Sequence, residues 1–188
     1  FCALKQDMEG TTLTRRRTCL ILTAEPAAGK TCLMSQLIMH LLQQTKSDLV
    51  PILIKVQELQ RRLLMEAHEA VFCRTWNWVD AYLQCVHGAE SDLYRMLQQA
   101  LRARRARILL DGIDEGGSKR AEIERHVTQV LAPQGHLMVV TSRPNGLREE
   151  IFKELFVHVE REPRTEQQQL EVIECRIGKG EHSHQLAE

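Results

Sequence analysis

The feature that most constrains this chain is the eight-residue run Ala24-Glu25-Pro26-Ala27-Ala28-Gly29-Lys30-Thr31. It stands between an apolar hexapeptide, Thr18–Thr23 (TCLILT), and a stretch of helical periodicity. A small residue, four variable positions and Gly-Lys-Thr make the pattern of a loop that wraps phosphates. Backbone N–H groups of such a loop, and of the helix it opens, converge on anionic oxygens. Lys30 is expected to reach the β- and γ-phosphates and the Thr31 hydroxyl to hold magnesium, with Cys32 beside them in the first helical turn. Average residue frequencies produce such a match by chance in about one chain per hundred of this length. The strand before the loop and the helix after it make chance less common still.

The remaining chain alternates between the two periodicities. Leu33, Leu37 and Leu41, with Ile38 and Leu42, predict a helix from Gly29 to about Gln44. Leu49–Val56 reads as a strand whose Pro51 belongs at an edge or near the strand start, because it has no N–H to donate. Helices are predicted over Glu58–Phe72, Trp76–His87 and Ser91–Arg105, with Ser91 as a cap. Ile108–Leu110 is a short strand. Ser118–Leu131 is amphipathic, with Ile123, Val127 and Val130 on one face. Leu137–Thr141 and Leu155–Val159 are strands, and Pro144–Lys153 a short helix. Thr165 and Gln168 form a capping-box pattern that opens a further helix. Strands alternating with helices predict an α/β fold around a mostly parallel sheet. The divisions are a lead-in over 1–17 that ends in Arg15-Arg16-Arg17, a nucleotide-binding domain over 18–160, and a helical segment with a polar tail over 161–188.

Composition narrows the function classes. With 25 basic and 25 acidic residues the formal charge is zero, so no global field draws in nucleic acid or an anionic membrane. Aromatic residues make up 4% of the chain, too few for base-stacking platforms. No apolar run has the length of a membrane span. The six cysteines include no C-x-x-C pair, which removes the zinc and thioredoxin readings and favours a reducing, intracellular (cytoplasmic) setting.

Two further strand ends carry chemistry. Arg107-Ile-Leu-Leu-Asp111-Gly112-Ile113-Asp114-Glu115 is an apolar strand that ends in a carboxylate. Asp111 there is the magnesium-side partner of a phosphate loop. Asp114 and Glu115 are placed to orient or deprotonate a water. Leu137-Met-Val-Val-Thr141-Ser142-Arg143-Pro144 brings an arginine to a strand end, where it can contact a γ-phosphate.

Together the loop AEPAAGKT, the segment LLDGIDE and the strand end VVTSRP resemble the NACHT family, of the STAND class of P-loop NTPases, over about residues 18–175. The small residue after the magnesium aspartate and the acids just downstream, here Gly112, Asp114 and Glu115, carry most of that resemblance. It implies a three-layer α/β sandwich with a five-stranded sheet, the sensor strand lying between the loop strand and the acidic strand. It implies ATP or ADP with Mg2+ as ligands, slow hydrolysis, and a nucleotide-controlled oligomerisation switch inside a larger signalling or assembly protein. Residues 24–32 would bind nucleotide, and Thr31 and Asp111 the metal. Asp114 would activate water, with Glu115 second, and Arg143 would sense the γ-phosphate. The family often has glycine where Ala24 and Ala27 stand, and alanine resists positive φ.

A catalytically inactive scaffold module and a small-molecule kinase are the alternatives; no lid-like segment supports the latter. No N-K-x-D segment supports a guanine-specific site. Trp76 and Trp78 are predicted on different helix faces, with one exposed. The arginines at 102, 104, 105 and 107 read as a solvated helix end. His182 and His184 lie in the polar tail without further metal ligands nearby.

Overall fold

A computed structural model describes residues 18–26, 28–43, 48–162, 165, 167 and 168. Ala27, the lead-in, the histidines of the tail, Cys2 and Cys175 lie outside them. The hexapeptide forms β1 (Cys19–Thr23), apolar on both sides and buried along almost its whole length. Such a strand needs cover on both faces, which a parallel sheet between helices supplies. The other strands are β2 (Val50–Lys55), β3 (Ala106–Asp111), β4 (Leu137–Ser142) and β5 (Phe156–Glu160). Their order is β2-β3-β4-β1-β5, and every pairing is parallel. The fold is the P-loop NTPase three-layer sandwich, and β4, the strand that ends in Ser142, lies between β1 and β3. Pro51 sits in the edge strand β2, where its missing N–H is tolerated.

Register then gathers the strand ends. Thr23 is level with Ser142 on one side and with Glu160 on the other, and Lys55 is level with Asp111. All the loops that leave the carboxyl ends therefore emerge along one edge of the sheet. The chain runs from β1 outward to edge strand β2, then returns through β3 and β4 and passes over β1 to β5. Right-handed crossovers in opposite directions put α1 (Lys30–Gln43) on one face and the later helices on the other. The loops of β1 and β4 part there, which opens a crevice above the strand ends.

The helices depart from the sequence expectation in instructive places. Helix α1 buries Met34 and Leu41, whereas Leu42 is exposed, so the core stripe runs through a methionine outside the leucine pattern. The helix expected over Glu58–Phe72 is two, α2 (Val56–Leu63) and α3 (Glu66–Arg74), because Met65 turns extended at ψ 119°. The break lets Val56 and Leu59 of α2 and Phe72 of α3 each reach the core. Next come α4 (Trp78–His87) and α5 (Asp92–Arg102), capped by the side chains of Asn77 and Ser91. Arg104 ends α5 in a left-handed turn at φ 55°, and Arg105 pairs with Asp48. The expected helix over Ser118–Leu131 is shorter, α6 (Arg120–His126), and continues as a wider π-type turn over Val127–Leu131. Of the helix expected over Pro144–Lys153, a 3-10 turn at Pro144–Gly146 and the one-turn α7 (Glu149–Phe152) form. The capping box is present as two reciprocal bonds, Thr165 N–H to Gln168 Oε1 at 3.1 Å and Gln168 N–H to Thr165 Oγ1 at 3.3 Å.

The helical insert is pinned to α6 through an aromatic pair. Trp78 stacks on His126 with centroids 4.3 Å apart and planes 7° from parallel. Its backbone N–H donates to His126 Nε2 at 3.0 Å. Trp76 lies ahead of α4 and is exposed. An accepting Nε2 requires a neutral imidazole, and burial pushes the His126 pKa down from 6.5 to about 4. The unfolded chain therefore takes up this proton first as pH falls. The stabilisation is complete above pH 6.5 and is lost as pH drops through about 4. Urea unfolding is expected to show a pH-dependent loss, up to about 3 kcal/mol of it from His126, that His126→Phe reduces, while His136, whose pKa burial also lowers, keeps its own share. Equal acid sensitivity in both proteins would remove His126 as its source.

Candidate functional site

The phosphate loop leaves β1 at the crevice. Ala24 N–H donates to Ser142 O at 3.2 Å, which carries the β1–β4 ladder one residue further. A turn follows, closed by Ala28 N–H on Glu25 O at 3.2 Å. Gly29 then takes φ 81°, a left-handed conformation that glycine adopts without strain, and α1 starts at Lys30. Arg104 alone among the described non-glycine residues has positive φ, so the loop does not ask this of Ala24. Lys30 Nζ curls back on the loop, donating to Ala24 O at 2.6 Å and Glu25 O at 3.0 Å. Cys32 is exposed in the first turn of α1. Glu25 and Pro26 are also exposed, and Ala28 is half-buried.

Thr31 and Asp111, the pair expected at the metal, lie within hydrogen-bond distance of each other. Thr31 Oγ1 donates to Asp111 Oδ2 at 2.7 Å, joining the loop to the end of β3 across the intervening β4. The second carboxylate oxygen is held by β4 itself, through Thr141 Oγ1 donating to Oδ1 at 2.7 Å. Thr141 Oγ1 in turn accepts from Gly112 N–H at 2.9 Å. The hydroxyl has one proton, given to Asp111, and a lone pair, given to Gly112. Gly112 has φ 76°, and a Cβ there would lie 3.1 Å from Glu115 Cδ. One hydroxyl and one carboxylate, both hard oxygen donors, fit magnesium, whose remaining positions are usually filled by phosphate and water.

Asp114, Glu115 and Arg143, expected as acids and sensor, are brought together as well. Asp114 Oδ1 accepts from Arg143 N–H at 3.2 Å, and Oδ2 lies 3.2 Å from Arg143 Nε. Arg143 Nη2 is 3.7 Å from Glu115 Oε1. Asp114 is nearly buried, whereas Arg143 and Glu115 are about half exposed. A Cβ on Gly146 would fall 2.5 Å from Asp114 Cβ, so the turn after Arg143 rests directly on the acid.

Four residues outside the recognised motifs, Glu124, Arg120, Arg148 and Arg161, support this arrangement. Glu124 of α6 is fully buried, and its carboxylate is paired with Arg120 at 2.8 Å and with Arg148. Arg120 also donates to the carbonyl of Gly146, so one guanidinium ties α6 to the turn that carries Arg143. Arg161, just past β5, donates its backbone N–H to Thr23 O at 2.8 Å and its Nη1 to Gly29 O at 3.3 Å. Thr141 did stand within a recognised motif, but its hydroxyl gave no sign of which carboxylate it would hold. The i, i+4 spacing of Arg120 and Glu124 was visible. The tertiary partner Arg148 was not.

No protein-family model matches the chain, and no curated protein matches it. Among solved structures the chain is similar to the Orc1 protein of Aeropyrum pernix, determined in complex with DNA. Identity is 17% and the TM-score 0.50, over 84% of this chain and 43% of that one. The chain thus spans less than half the length of that protein, and likeness at this identity carries the fold alone. The likeness is one of fold, a parallel five-stranded sheet between helices. Among the described residues no helix is long and apolar enough to cross a membrane.

The Glu124 cluster yields an asymmetric expectation. Arg120→Met leaves a buried carboxylate half-paired and strands the Gly146 carbonyl, so unfolding free energy should fall by about 3 kcal/mol. Glu124→Leu leaves two arginines that reach solvent, 31% and 52% exposed. Its loss should be nearer about 1 kcal/mol. Urea denaturation of both variants checks the order, and the reverse order refutes the assignment of Glu124 as the buried charge that needs its partners.

Proposed function

We propose that the chain is a magnesium-dependent ATP- and ADP-binding module of the NACHT type, acting as a nucleotide-controlled oligomerisation switch within a larger protein. The observation that carries this reading is the Thr31–Asp111 hydrogen bond, which joins the phosphate loop to the acidic strand end. Lys30 and the amides that open α1 would hold the phosphates. Thr31 and Asp111 would hold magnesium, which when bound offsets the charge on the phosphate oxygens. Thr141 fixes the carboxylate of Asp111 so that one oxygen faces the loop. Arg143, at the end of β4, is placed to answer to the γ-phosphate. Asp114 is the residue assigned to orient and deprotonate water, with Glu115 behind it.

Both oxygens of Asp114 are engaged by Arg143. The guanidinium takes one lone pair of Oδ2, so drawing it toward a γ-phosphate would free that oxygen for water. A coupling of this kind favours slow turnover linked to γ-phosphate contact. The same observation also favours a second reading, in which the acid never becomes free and the module is an inactive scaffold that binds nucleotide without splitting it.

Calorimetry and a phosphate-release assay separate these readings. Lys30→Ala is expected to weaken ADP and ATP binding by about a hundredfold, since it removes the charge beneath the phosphates. Asp114→Asn is expected to keep binding and to lower turnover by about a hundredfold. Turnover that is absent in the wild type, with nucleotide still bound, selects the scaffold. A wild type that binds neither nucleotide with magnesium refutes both.

A further inference from the structure

We infer that Arg161 is an additional nucleotide-binding residue, one that holds the α/β-phosphate end shared by ADP and ATP. The inference rests on the nucleotide site proposed above and adds to it a residue from the opposite side of the loop. Asp111 and Arg143 stand at the ends of β3 and β4, on one side of β1. Arg161 follows β5, which flanks β1 on the other side. A polyphosphate laid over the loop runs across the ends of these strands. Its metal-bound γ-end lies toward Asp111 and Arg143, so its α-end lies toward β5.

Arg161 is held in that place. Its backbone N–H bonds to Thr23 O, so the residue continues the β1–β5 ladder rather than hanging from a loose segment. Its side chain is partly buried and lies against the phosphate loop, with Nη1 on Gly29 O, the residue that turns the loop into α1. One N–H is spent on that bond; a guanidinium has five.

Charge points the same way. Arg143 is balanced by Asp114 and Glu115, and Arg120 and Arg148 by Glu124. Lys30 and Arg161 differ. Their bonds run to the loop carbonyls of Ala24, Glu25 and Gly29, and no carboxylate pairs with either among the described residues. Two cations against one short loop, neither in an ion pair among the described residues, are a recognition surface for a multivalent anion. Arg161 lies on the flank where ADP and ATP are identical. It should therefore raise affinity for both without telling them apart, leaving discrimination to Arg143.

The test is titration of ADP and of ATP, each with magnesium, into the full chain and its variants. Arg161→Gln keeps a donor for Gly29 O and loses the charge. It is expected to weaken both nucleotides equally, by about tenfold. Arg161→Lys keeps the charge without the fork. It is expected to weaken both by about threefold, and it stands in if thermal melting shows the glutamine variant unfolded. Wild-type affinity for ADP in the folded variant overturns the inference, as does a loss confined to ATP. Lys30→Ala is measured alongside. If it abolishes binding while Arg161 variants bind normally, the site stands and only Arg161 falls. If the wild type itself binds neither nucleotide, both fall.

Discussion

The site depends on one carboxylate held by two hydroxyls. Asp111 is the acid at the junction of the loop, β3 and β4, and its two oxygens are divided between Thr31 and Thr141. Neither contact is local in sequence, and both exist because parallel register sets the ends of β1, β4 and β3 side by side. A nearly buried carboxylate without such partners would cost several kcal/mol. Here the donors that stabilise it are also those that aim it. The same bonds that stabilise the fold therefore orient the site, and Thr141 serves both ends with one hydroxyl.

Much of this was legible because the chain repeats one device. An apolar strand, then a short polar run at its carboxyl end, marks β1, β3 and β4 alike, and each run carries a residue of the site. Pro51 declared an edge strand, and Ser91 a cap. The less legible parts were decided by tertiary contacts. Nothing between Glu58 and Phe72 is a glycine or proline, so the break at Met65 has no local signal. It arises because a single straight helix could not bury Val56, Leu59 and Phe72 together. In the same way, Met34 displaces Leu42 from the core stripe of α1, because the sheet beneath selects position and only secondarily hydrophobicity.

The residues that went unnoticed share a property. Glu124, Arg148 and Arg161 lie outside any motif and act through partners distant in sequence. Glu124 meets Arg148 from 24 residues away and Arg161 meets Gly29 from 132. A charge run or an isolated arginine reads as a solvated surface when no partner is visible, and that is the commoner case. What distinguishes these three is burial or a neighbouring loop, which only the fold reveals. A phosphate site of the kind proposed would be open to such additions, since any strand end near the loop could contribute a cation without altering the loop itself.

The contact between Gly146 and Asp114 reaches beyond this one chain. A side chain at 146 would occupy the space of the acid's own Cβ. The two positions therefore form a single steric unit. The clash is with the Cβ that every residue but glycine carries, not with the carboxylate, so exchanging the acid for alanine or asparagine makes no room at 146. In a lineage descended from this sequence, glycine at 146 should accordingly outlast the acid, and only a glycine at 114 should release it.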